Sequence, residues 1–166
     1  MNMRLRPDSR KENKKVADRN FNGVQINQSV TIVEKAGADI EDVRNRIMAY
    51  DKDGNAVLAA DGSAVLIGVA LIEAGINDIS GTGSGKVYAG DDVDIQIKDI
   101  GYVLSGGDIA KGDEVTASSG LAVKAEPGSY VVGIALSAAA KDEYCRVQIT
   151  KYQKGQEAQE EVKNNG

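Results

Sequence analysis

The chain repeats itself, and the repeat limits its fold more than any other feature does. Gly54–Leu71 aligns, with one residue dropped, on Gly120–Leu136, the two segments sharing Ala-Val, Gly-Ser and a closing Ala-Leu. Upstream, Gly37-Ala-Asp-Ile40 matches Gly106-Gly-Asp-Ile109, and downstream Val93-Asp-Ile-Gln-Ile97 matches Cys145-Arg-Val-Gln-Ile149. The segments keep the same order in both halves. Two related units follow, 23–98 and 99–152, the first enlarged by an insertion at 75–90.

Within the units, apolar residues alternate with polar ones, at Val24/Ile26, Val30/Ile32, Val93/Ile95/Ile97, Val131 onward and Cys145/Val147/Ile149. A period of two is the spacing of a strand with one buried face. Between these runs stand Asp53-Gly54, Gly106-Gly107, Lys111-Gly112-Asp113 and Pro127-Gly128, which supply the positive or fixed φ that reversals need. Helical spacing occurs over Asp39–Met48, where Ile40, Val43, Ile47 and Met48 share a face behind an aspartate in capping position. The matching stretch Asp113–Ser118 is short and β-prone, which argues against that helix's last turn. The expectation is an all-β chain of small β-barrel or β-tulip-like units from an internal duplication, with an extended N-terminal arm and at most one short helix.

Charge divides the chain further. Residues 1–22 form a basic arm in which Arg4, Arg6, Arg10, Lys11, Lys14, Lys15 and Arg19 stand against Asp8, Glu12 and Asp18, a surplus of four positive charges, with Phe21 at its end. Residues 153–166 form a polar tail with a net charge of −1, expected to be disordered. The whole chain carries −5, so the body between the ends carries −8. An arm of this kind binds nucleic acid through phosphates or orders against an acidic protein surface. The acidic body repels nucleic acid, which favours the protein surface.

Several classes of function lose ground on composition. Histidine is absent, removing the commonest general base near neutral pH and the commonest metal ligand. The single cysteine excludes a disulfide within the chain and fits a reducing cytoplasm. The first 19 residues lack the apolar stretch of a secretory signal, and the longest apolar run, Ala64–Ile72, is too short to span a bilayer.

Five local patterns invite chemistry. Ser80-Gly-Thr-Gly-Ser-Gly-Lys86 resembles a phosphate cradle, but Ser80 stands where a P-loop needs glycine and Val87 where it needs Ser or Thr, so a flexible surface loop is expected. Asp51-Lys-Asp-Gly-Asn55 begins like a calcium loop, yet its twelfth position is Gly62 and a hairpin turn explains it. Cys145 alternates with Val147 and Ile149 and reads as a buried thiol. Asp91, Asp92 and Asp94 flank a strand in an acidic body. Lys124, beside a turn, has the placing of a lipoyl or biotinyl lysine without that site's usual Met or Asp neighbours. No catalytic pair, metal site or cofactor is expected.

The stretch from Gly106-Gly-Asp-Ile-Ala-Lys-Gly-Asp-Glu-Val115 to Val132-Gly-Ile-Ala-Leu136 and the closing Cys145-Arg-Val-Gln-Ile149 resembles the capsid cement, or head decoration, proteins of tailed bacteriophages. Ile67-Gly-Val-Ala-Leu71 carries the likeness more loosely into the first unit; the arm and tail are outside it. The resemblance implies a small, non-enzymatic, all-β virion protein, made in the bacterial cytoplasm, that binds the outer surface of the head. Its partners would be the major capsid protein and further copies of itself, with a trimer favoured and no membrane or nucleic acid. On this reading Arg4, Arg6, Arg10, Lys11, Lys14, Lys15, Arg19 and Phe21 contact the capsid. Alternatives are a head fibre base, a host-surface adhesin, a lipoyl- or biotinyl-type carrier, and a nucleic-acid-binding protein.

Overall fold

The computed structural model describes residues 30–80 and 82–156, which form ten strands. The first sheet holds β1 (Thr31–Lys35), β2 (Ile47–Tyr50), β3 (Ala56–Leu58), β4 (Leu66–Ala70) and β5 (Asp92–Gln96). The second holds β6 (Asp99–Leu104), β7 (Glu114–Ser118), β8 (Leu121–Lys124), β9 (Tyr130–Ala135) and β10 (Tyr144–Gln153). All strand pairs are antiparallel, and the orders are β1-β5-β4-β2-β3 and β6-β10-β9-β7-β8. Adding five to each label of the first order gives the second.

The likeness of the two units reaches single hydrogen bonds. An isolated bridge joins Ile40 to Val87 in the first unit and Ile109 to Ala139 in the second. Gly90 N–H donates to Ala36 O and Asp142 N–H to Ser105 O, and both donors have left-handed φ, 90° and 66°. Gly68 in β4 and Gly133 in β9 each lie against the backbone carbonyl of the glutamine at the matching place in the neighbouring strand, Gln96 or Gln148. A side chain at either glycine would strike that carbonyl, so the close approach of these two central strands requires glycine.

Two apolar cores result. Ile40, Val43, Met48, Ile67, Ala70, Val87, Val93 and Ile95 fill the inside of the first sheet. The other core is shared: Ile47, Ala49, Ala59, Leu66 and Val69 of the first unit join Val103, Val115, Val132, Cys145 and Val147 of the second. Because β4 lies between these cores, all five of its residues are buried. Full burial of each Val, Leu or Ile side chain contributes roughly 1.5–3 kcal/mol.

Hydrogen bonds stitch the same junction. Ile47 N–H donates to Gly120 O, Gly120 N–H to Ala59 O, Ser119 N–H to Ala60 O and Tyr130 N–H to Gly62 O, at 2.7–2.8 Å. The Lys151 ammonium donates to Ile67 O at 2.8 Å, and its loss of solvent lowers its pKa. The units therefore form one packed body.

The sequence reading allowed at most one short helix and expected barrel-like units. No helix forms among the described residues: 37–46 is an irregular loop crossing the end of the first sheet, closed by the Ile40–Val87 bridge. The sheets also do not close into barrels. The edge strands of each sheet approach through one parallel bridge, Ala36 to Ala56 and Ser105 to Ala122, so each sheet curls and stays open. Order in the carboxyl-terminal segment continues through Lys154, whose N–H donates to Ser129 O at 2.8 Å and whose ammonium pairs with Glu114 at 2.8 Å.

Candidate interaction surface

The arm residues Arg4, Arg6, Arg10, Lys11, Lys14, Lys15, Arg19 and Phe21 lie outside the described residues, as do Val24, Ile26 and the tail beyond residue 156. What the structure does place are the local patterns, and hydrogen bonding within the protein occupies each of them.

The glycine-rich loop is wound around one carboxylate. Asp78 accepts from the Ser80 N–H at 2.9 Å, the Gly83 N–H at 3.1 Å, the Thr82 hydroxyl at 3.3 Å and the Ser80 hydroxyl. Ile76 and Lys86 close the base of the loop, with Ile76 N–H donating to Lys86 O and Gly85 N–H to Ile76 O, each at 2.8 Å. In this loop the amides that would cradle a phosphate already hold an anion of the protein's own. The Ser80 hydroxyl, followed by the backbone donors, pulls the Asp78 pKa down to about 2. A depressed carboxylate stabilises the fold above its unfolded pKa and loses that contribution as pH falls through the folded value. We expect the loop to loosen between about pH 4 and pH 2, as read by amide exchange at Ser80 and Gly83. Asp78→Asn should make exchange there fast already at pH 6.

The remaining groups are similarly engaged. Asp51 accepts from the Asp53 and Asn55 N–H groups at 2.8 Å, fixing the β2–β3 hairpin, and the Asn55 amide lowers its pKa most. The Cys145 thiol is buried beside Ser137 O at 3.2 Å, and burial pushes its pKa up, away from thiolate reactivity. Asp92 pairs with Lys35 at 2.7 Å, Asp91 accepts from the Tyr88 N–H at 3.0 Å, and Lys124 pairs with Asp113 at 2.9 Å. The Lys86 ammonium bonds Glu41 at 3.2 Å and lies 5.3 Å from the centre of the Tyr88 ring. These ionisable groups do not converge on a common point. Among the described residues no three acidic or cysteine side chains are arranged to hold a metal.

The surface offers apolar side chains instead. Ile72 is exposed just after β4, Ile76 and Ile79 are exposed on the insertion, and Ile79 is 106% exposed on the Asp78-bound loop. Val30 and Val33 are exposed on and beside β1, and Val65 before β4. The sequence placed Val30 in an alternating run and Val65 and Ile72 in an apolar one, and did not single out Val33, Ile76 or Ile79. Ile79 lies within a polar glycine-rich stretch, and Val33 within a strand whose other face, Ile32 and Glu34, is half-buried. Among the described residues, these exposed apolar side chains stand on or beside strands and on the loop wound around Asp78.

The chain is, in class, an all-β protein of two similar five-stranded antiparallel units packed on a shared core. Among solved structures, the crystal structure of the head fiber gp8.5 N base in bacteriophage phi29 has this fold, with a TM-score of 0.54 and 23% sequence identity. The superposition covers 74% of this chain and 95% of that one. No family model matches the chain, and no curated protein matches it.

Proposed function

We propose that the chain is a non-enzymatic structural protein of a tailed-phage virion, attached to the outside of the head as the base of a head fibre. The observation that carries this reading is the fold shared with a head fibre base over 95% of that chain's length. The resemblance of the 106–149 segment to head decoration proteins supports the same location independently. Capsid cement is the second reading, favoured by that sequence pattern alone. Either way the partner is the major capsid protein, contacted by the basic arm through Arg4, Arg6, Arg10, Lys11, Lys14, Lys15 and Arg19. A segment that orders on binding adds contact area while its lost freedom offsets part of the gain.

The two readings part experimentally. Heads stripped of the protein should lose an external appendage and keep their resistance to heat and chelation if it is a fibre base. If it is cement, they should break open at lower temperature. For the arm, deleting residues 1–19 should weaken attachment to purified heads at least tenfold and leave the thermal midpoint of the body within about 2 °C, since surface changes shift stability little. Unchanged occupancy on heads would refute the arm contact.

A further inference from the structure

The second sheet presents a face that its twin in the first unit does not. Burial alternates along β6 and β10, with Val103, Cys145, Val147 and Ile149 turned into the core and the residues between them turned outward. The ladder sets the outward residues in three rows: Leu104 opposite Tyr144, Tyr102 opposite Arg146 and Ile100 opposite Gln148. The matching rows of the first sheet are Lys35 opposite Asp92, Val33 opposite Asp94 and Thr31 opposite Gln96. An ion pair at 2.7 Å in the first unit is thus a leucine and a tyrosine in the second, and a carboxylate is a guanidinium. Two copies of one fold have the same packing needs, so an exchange on the outward side reflects what each face meets.

The centre of this face is Arg146. Leu136 N–H donates to Arg146 O at 2.7 Å as Leu71 N–H does to Asp94 O at 3.0 Å, so Arg146 and Asp94 hold equivalent places. Tyr102 flanks Arg146 on one side, Leu136 on the other, and Tyr144 stands two residues before it on the same strand. Arg146 is half-buried, and among the described residues no carboxylate pairs with it. Tyr144 is 52% exposed. The first unit grips this sheet by the backbone, the Asn45 amide donating to Tyr102 O at 2.9 Å and the Gln96 amide to Ile100 O at 3.0 Å. Tyrosine and arginine are the residue types that carry most of the energy at the centre of protein interfaces.

Charge identifies the occupant. The body carries −8, yet the one charged side chain in these three rows is a cation with no anion beside it. A partner that completes it brings a carboxylate set among apolar side chains. The basic arm has the same sign, and the chain that carries it joins the body at Val30, whose carbonyl accepts from Ile97 N–H at 3.0 Å, next to the Gln96 that reaches Ile100 O. Arm and face therefore start from one corner of the molecule and suit one acidic protein surface.

We propose that the outward face of β6 and β10 docks on the major capsid protein, with Arg146 receiving a carboxylate of that protein and Tyr144 and Leu104 packing on apolar side chains around it. The inference rests on the attachment to heads proposed above and adds which surface of the folded body makes the contact.

Co-sedimentation of the full chain with purified heads that lack it tests the contact. Arg146→Glu and Tyr144→Ala should each weaken binding at least about tenfold with unchanged circular dichroism. Tyr144 lies on the surface, so its truncation guards against a fold lost through Arg146. Asp94→Ala, at the place of Arg146 in the first unit, should bind as wild type. Wild-type affinity in both face variants, on heads that take up the wild-type chain, would overturn this inference and leave the attachment standing. Heads that take up no wild-type chain would overturn the two together. A single-stranded DNA oligonucleotide retained by the wild-type chain and released by the same two substitutions would give the face to nucleic acid and likewise overturn the inference.

Discussion

Replacing Gly68 by alanine is expected to destabilise the protein by about 3 kcal/mol, and replacing Gly133 should do the same. Neither glycine has an unusual φ; what constrains both is the carbonyl of Gln96 or Gln148, which an added methyl would strike. Backbone carbonyls in the middle of a sheet cannot swing aside as a side-chain tip can, so strands must separate and ladder bonds lengthen. Overpacking of this kind costs about 1–3 kcal/mol and occasionally more, and the backbone location puts these sites at the upper end. In a chain of this length 3 kcal/mol lowers the melting temperature by roughly 6–12 °C. Gly107→Ala is the matched control: nothing lies within 4 Å of a Cβ there, and its φ is ordinary, so calorimetry should find a change within about 0.5 kcal/mol.

Truncating Ile47 to alanine should cost about 3 kcal/mol, within the range of roughly 2–5 kcal/mol for large-to-small changes in a core. Ile47 is fully buried in the shared core, and its N–H holds Gly120 O of the second unit. Alanine keeps that N–H, so the loss is of packing in the core that both units share, which weakens the junction as well as the first sheet. Calorimetry should still show a single transition, shifted down by roughly 6–12 °C. Two separated transitions, with only one moved, would mean that each sheet folds on its own and that the shared core is not what couples them.

The fold was legible wherever the sequence states the same thing twice. The paired segments around Gly68 and Gly133, and around Ile40 and Ile109, anticipate the equal strand orders, because a repeated apolar pattern has to be buried in a repeated way. The helical spacing over Asp39–Met48 has a different origin. Ile40 and Val43 reach the first core from an irregular loop, while the adjacent Ile47 and Met48 are both buried because β2 lies between two cores. A strand covered on both faces loses its period of two, and a short apolar run then cannot be told from a helix by spacing alone. Barrel closure was not legible either, since it depends on how the edge strands meet, which composition does not encode.

The surface was harder to read than the core. Asp78 gathers its ligands from residues two to five positions downstream, and no spacing rule separates that wrap from a loose glycine-rich loop. The cap on β6 depends on Asn45 and Gln96, residues about fifty positions apart that are joined only by tertiary structure. The positively charged arm was the clearest functional signal in the sequence, and it lies outside the described residues.

Cryo-electron microscopy of phage heads incubated with the full chain tests the central claim most directly. Added density is expected on the outer face of the shell, at repeated symmetric positions, into which two curled five-stranded sheets per chain can be fitted. Heads that stay bare at saturating protein, or density confined to the interior or the tail, would contradict it.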